Sequence, residues 1–201
     1  MGLIFVISAP SGTGKTTICK ELGKQMPEFI FSVSYTTRPK RNLEVDSVDY
    51  HFINEKTFMK MLKEKEFLEW AEVHGNKYGT SAKFVEVALK SGKDLLLDID
   101  VQGAKKIKNI HKDSVAIFVL PPSIDELKNR LLNRRSNSLA EMEKRLRVAS
   151  EEIRNSIFYD YVVINDNIQK AVEKIKSIVV AEKHTQNRMR SIISQKYIRK
   201  L

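Results

Sequence analysis

Gly14, Lys15 and Thr16 stand in succession after a loop that begins at Ala9, and the loop follows a short apolar run at residues 3–7. Strand, turn and helix start in that order form a phosphate-binding loop. Gly12 and Gly14 let backbone N–H groups curl round phosphate oxygens where a Cβ would interfere. Lys15 offers a mobile charge to outer phosphates, Thr16 a hydroxyl to Mg²⁺, and the helix that follows its positive end. The expected donor site therefore comprises Ala9, Pro10, Ser11, Gly12, Thr13, Gly14, Lys15, Thr16 and Thr17. The strict pattern has glycine at position 9, where this chain has alanine.

A second set of residues suits a second phosphate. Arg38 and Arg41 lie three apart in a polar stretch, and Tyr50 and Tyr78 fall at nearby strand edges. Two guanidinium forks and two phenols can enclose one dianion. Taken alone, the same residues would read as solvated arginines and half-buried tyrosines. Glu69, Ser34 and Thr80 lie in the same segment. A guanine edge presents N1–H and an amino group as donors and O6 as acceptor, which a carboxylate and hydroxyls complement. Such a site rejects a wrong base strongly, because buried polar groups are left unpaired.

Asp98 and Asp100 end the apolar run at residues 95–99. In an open α/β sheet ligands bind beyond the carboxyl ends of strands, so both acids are expected near the phosphates. Asp98 is placed to orient Mg²⁺ or its waters, together with Thr16, and Asp100 to face an acceptor nucleoside. Either could instead cap the helix starting at Val101. Arg130, Arg134, Arg135, Arg145 and Arg147 form a third group, suited to stabilising a phosphoryl group in flight.

The elements that must position these residues follow from periodicity. Apolar runs at residues 3–7, 95–97 and 115–120 read as strands buried on both faces, with helices at 17–25, 82–90 and 101–110 between them. Residues 31–35 read as one further strand and 159–165 as the last, before a long helix from Ile168. Asn54 is a helix cap for residues 55–65, and residues 77–80 read as a short sheet edge. Strands alternating with helices predict an α/β fold, a doubly wound parallel sheet. A single domain over 1–201 is expected: core at 1–33, 82–123 and 159–201, a mixed β-rich insertion at 34–81 carrying the acceptor site, and a helical lid at 124–158.

Composition narrows the class. Charged residues make up 30% and apolar residues 42%, as in a soluble globular protein, and the longest apolar runs are too short to cross a bilayer. The apolar run at residues 3–7 is too short for a signal-peptide core and has no basic segment before it, so a cytoplasmic location is expected. The lone Cys19 excludes an internal disulfide. The net charge of +10 is concentrated toward the C-terminus, where Lys183, Arg188, Arg190, Lys196, Arg199 and Lys200 face one acid, Glu182. A solvated terminal helix is preferred to a nucleic-acid tail, and no specific nucleic-acid or membrane partner is expected.

Several stretches in order resemble the guanylate kinases, of the nucleoside monophosphate kinase group. They are residues 8–16, 34–41, 49–52, 69–72, 78–81, 97–104, 145–146 and 159–165, and together they span nearly the whole chain. The resemblance implies transfer of a phosphoryl group from ATP, with Mg²⁺, to GMP or dGMP. It implies that Ser34, Arg38, Arg41, Tyr50, Glu69, Tyr78, Thr80 and Asp100 bind GMP and that Lys15, Arg38, Arg134 and Arg145 assist transfer. Ala9 and Arg135 depart from the family pattern, which has glycine at both positions. A catalytically silent protein-binding module of the same fold is the alternative. Its damaged phosphate loop is not seen here, since Gly14-Lys15-Thr16 is intact.

Overall fold

The apolar runs lie side by side at the centre of the molecule. The computed structural model describes residues 2–132 and 139–198. β1 (Ile4–Ser8), β2 (Ile30–Phe31), β7 (Leu95–Asp98), β8 (Val115–Leu120) and β9 (Tyr161–Ile164) form a parallel sheet in the order β2-β7-β1-β8-β9. Alternate side chains serve opposite faces, as strand geometry requires. Phe5 and Ile7 meet Ile18, Cys19 and Leu22 of α1 (Lys15–Gln25) and Val172, Ile175 and Val179 of α7 (Ile168–Lys183). Ile4 and Val6 meet Val85 and Leu89 of α3 (Ala82–Lys90) and Ala104 and Ile107 of α4 (Val101–Ile110). Both faces are thus covered, which is why these strands read as unbroken apolar runs.

A second sheet has the order β4-β3-β6-β5, from β3 (Tyr35–Thr36), β4 (His51–Phe52), β5 (Phe67–Val73) and β6 (Asn76–Ser81). α2 (Glu55–Lys63) closes over it, with fully buried Phe58 stacked on Phe67 at 4.5 Å between ring centroids. Asn54 caps α2 as predicted, its Oδ1 accepting the amide of Thr57 at 2.8 Å. Lys20 of α1 pairs with Asp49 of the inserted loop at 2.9 Å, tying this sheet to the core.

Three expectations change. Residues 31–35 are not one strand: Phe31 pairs with Leu96 in the parallel sheet, whereas Tyr35 pairs with His51 and Gly79 in the other. The chain changes sheets in between, and Ser34 sits at the crossing. Residues 77–80 are not an edge, because β6 lies between β3 and β5. The C-terminal helix breaks after Lys183, and α8 (Gln186–Ile193) follows as a separate helix. Two of the C-terminal basic residues are paired, while Arg190 and Lys196 are exposed as expected: Arg188 pairs with Glu182 at 3.3 Å and donates to the carbonyl of Asp113 at 2.9 Å, and Lys183 pairs with Asp94 at 2.8 Å.

α5 (Ile124–Leu132) and α6 (Leu139–Arg154) stand beyond the carboxyl ends of β1 and β8, packed through Leu127, Leu131 and Ala149. Arg134 and Arg135 lie outside the described residues.

Candidate active site

The loop between β1 and α1 turns at Gly12 and Gly14, whose φ values of 93° and 98° are ones that L side chains avoid. Gly14 is also the N-cap of α1 and carries no side-chain cap, and the first turn has no acid. The leading amides of α1 are therefore left for an external anion. Ala9 is outside the left-handed region and its methyl group is buried in the core beside Phe5 and Ile7, so alanine is tolerated there without strain. Thr16 and Thr17 are exposed on the first turn.

The loop is held from its far side by residues that the motif does not contain. Asn165 donates from Nδ2 to the carbonyl of Thr13 at 2.7 Å, and Arg130 donates to the same oxygen at 3.3 Å. A cleft lined by Gly12, Gly14, Arg130, Asn165 and Asn167 opens beside them.

Lys15 points back across the sheet. Its Nζ lies 2.6 Å from Asp98 Oδ1 and donates to the carbonyl of Ile99 at 3.1 Å. Burial pulls the ammonium toward neutrality, but the charge and hydrogen bond of Asp98 outweigh it and hold the Lys15 pKa above its ordinary value. The Lys15 ammonium is thus kept charged.

Arg38 is fixed rather than free. Its guanidinium donates to both oxygens of Glu44, at 2.7 and 2.9 Å, and lies over the rings of Tyr50 and Phe52 at 5.4 and 5.6 Å from the centroids. Glu44 also accepts the amide of Arg41 at 2.8 Å, so one carboxylate holds the Arg38 side chain and the Arg41 backbone. The Arg41 residue itself is exposed. Tyr50 meets Tyr78 edge to face, and burial, reinforced by the charge of Asp98, pushes its phenol up to about 12, keeping it a hydrogen-bond donor.

The far wall carries buried polar groups. Ser34, Glu69 and Thr80 are all buried, and Thr80 Oγ1 donates to Glu69 Oε1 at 2.6 Å. Burial pushes the Glu69 carboxyl up to about 7, against the pull of the Thr80 hydrogen bond and with a push from Asp100. Asp100 caps α4, accepting the Gly103 amide at 2.9 Å, and also lines the cleft. Lys15, Ser34, Tyr50, Glu69, Tyr78, Asp98 and Asp100 share the walls of this one cleft. Arg38, Arg41 and Thr16 border the continuous opening beside Tyr50, Tyr78 and Asp98.

Arg145 is half-buried on α6. Two turns further along α6 is Glu152, which sequence reasoning missed. One of its oxygens is buried without a partner among the described residues. Burial raises its pKa to about 7, with Lys15 and the Ser11 amide pulling it back and Asp100 pushing it up. Among the described residues no group of three or more His, Cys, Asp or Glu could hold a metal by itself. The exposed hydroxyl of Thr16 and the carboxylate of Asp98, whose Oδ1 is held by Lys15, border the same opening, a sparse donor set that suits a Mg²⁺ ion arriving on phosphates and keeping its waters.

Known proteins resemble the chain over nearly all of it. The family model described as guanylate kinase matches residues 2–182. The chain is 47% identical over 190 residues to a guanylate kinase of Syntrophotalea carbinolica, covering 94% of this chain and 90% of that one. It is 47% identical over 196 residues to one of Geobacter metallireducens, covering 98% and 97%. The crystal structure of guanylate kinase from Anaplasma phagocytophilum superposes with a TM-score of 0.80 at 33% identity, over 98% of this chain and 95% of that one.

Proposed function

The chain belongs to the guanylate kinase family, and from that premise we infer how its cleft carries out the family's reaction. It is an enzyme, a guanylate kinase, which transfers a phosphoryl group from ATP to GMP to give ADP and GDP. We read its reaction as direct in-line transfer of the γ-phosphoryl group, with dGMP as a second acceptor and the cytoplasm as the location.

One observation carries the assignment of residues: Lys15, on the phosphate loop, and Glu69, a buried acid with a hydroxyl partner, line the same cleft. A donor triphosphate sits on residues 9–17, with loop amides and Lys15 on its outer phosphates. GMP lies between, its phosphate at Arg38, Arg41, Tyr50 and Tyr78 and its base toward Glu69, Ser34, Thr80 and Asp100. Thr16 and Asp98 would hold Mg²⁺, which when bound neutralises charge on the donor phosphates.

No general base is needed. The second pKa of a phosphate monoester is near 6, so the acceptor oxygen is largely ionised at neutral pH. The chain's work is alignment and charge compensation. Arg38, preset by Glu44, orients the acceptor phosphate. Lys15, charged despite burial, draws electron density toward the leaving side. Arg145, with Arg134 outside the described residues, supplies cationic charge to the group in flight.

The test is ADP formation with GMP, dGMP, IMP and AMP as acceptors, in the wild type and in Lys15→Ala. GMP and dGMP are expected to be used far better than AMP. Lys15→Ala is expected to lose about 10³-fold in kcat, with GMP binding within a few-fold. A fully active Lys15→Ala enzyme would remove the donor-site assignment.

A further inference from the structure

Gly103 stands in the first turn of α4, where its backbone is helical and nothing about φ calls for glycine. Glycine is a poor helix former, so its presence there needs another cause. The cause lies across the turn. A Cβ on residue 103 would sit 2.6 Å from Glu69 Oε2, 3.1 Å from Glu69 Cδ and 3.2 Å from Asp100 Oδ1. The three nearest atoms thus belong to two cleft carboxylates, and none to backbone or to apolar packing. The other Glu69 oxygen is held by the Thr80 hydroxyl at 2.6 Å, so the carboxylate is gripped between that hydroxyl and the bare Cα of Gly103.

We propose that Gly103 is a positioning and specificity-determining residue of the acceptor site: its missing side chain is the seat in which the Glu69 carboxylate lies. The inference rests on the reading that Glu69 engages the guanine edge. Ordinary van der Waals contact begins near 3.4 Å, so alanine at 103 displaces Oε2 by nearly 1 Å, on the order of what costs an aligned site 10²-fold. The Glu69 side chain yields rather than the fold, because its end is the flexible element in the clash.

Gly103→Ala is measured for kcat/KM with GMP and with AMP, KM for ATP, and melting temperature. The expected result is a loss of about 10- to 100-fold with GMP, a narrowed preference for GMP over AMP, an ATP KM within about twofold of wild type, and an unchanged or raised melting temperature. The second measurement is a cycle with Glu69→Asp, whose shorter chain withdraws the carboxylate from the position the new methyl takes. Adding Gly103→Ala to Glu69→Asp should cost under about threefold, much less than adding it to the wild type. Equal costs in both backgrounds overturn the proposal. So does a fall in melting temperature with parallel loss of ATP and GMP use, which would assign Gly103 to packing. Glu69→Gln separates the two layers: if it keeps normal GMP use, the guanine reading fails, and if it loses GMP use while Gly103→Ala does not, only the seat fails.

Discussion

GMP affinity should depend on pH through Glu69. Burial of this carboxyl, with Asp100 nearby, raises its pKa to about 7 in the free protein. A guanine edge that donates two hydrogen bonds is matched by the carboxylate and not by the acid. At pH 6 about one molecule in eleven carries the ionised form, against about ten in eleven at pH 8. The apparent Kd for GMP should therefore be about tenfold higher at pH 6, equivalent to about 1.4 kcal/mol. The phosphate of GMP, with a second pKa near 6, adds about twofold at most. Calorimetric titration of GMP at pH 6, 7 and 8 and constant ionic strength measures the total, and Glu69→Gln isolates the phosphate's share. Near pH 7 binding to the wild type should release about half a proton per GMP from Glu69. A wild-type pH slope no steeper than that of Glu69→Gln would refute the reasoning. The same shift governs stability with a definite sign. An acid whose folded pKa lies above its unfolded value favours the fold below the unfolded value and withdraws that support as pH rises through the folded one. Glu69→Gln should thus raise the melting temperature of the free protein at pH 8, by an amount reflecting at most about 3 kcal/mol, and leave it nearly unchanged near pH 4.

Glu44→Gln leaves one acceptor oxygen where the carboxylate has two, and so loosens the fork that presets Arg38. The KM for GMP should rise about tenfold with the ATP KM unchanged in steady-state assays, and tighter GMP binding would show instead that Glu44 competes with the phosphate. Glu152→Gln removes a carboxyl whose pKa burial raises to about 7, so its melting temperature should exceed wild type by about 2 °C or more at pH 8 and match it near pH 4. A gain of equal size at both values would trace the effect to packing rather than to charge.

Conformations specified over a few neighbouring residues could be read directly. The phosphate loop at residues 9–16, the Asn54 cap and the strands at residues 4–8, 95–98 and 115–120 each carry their own signal in apolar periodicity, glycine placement or a capping side chain. The guanylate kinase resemblance rested on the same local stretches, and the family comparisons bear it out. What could not be read was which strand a short segment joins. Residues 31–35 alternate like one strand, yet the partners that divide them, Leu96 on one side and Gly79 on the other, are far apart in sequence.

Sequence alone therefore determined the class of chemistry, because the backbone amides, the lysine and the hydroxyl of the donor loop act as a unit within a few residues. Tertiary structure decided how the remaining groups are held before any ligand arrives: Lys15 on Asp98, Arg38 on Glu44, Glu69 between Thr80 and Gly103. Each of those arrangements is a contact of a few ångströms between side chains. Both its energy and the pKa it sets depend on burial and on the neighbour's position, which exist only once the two sheets and α4 have come together.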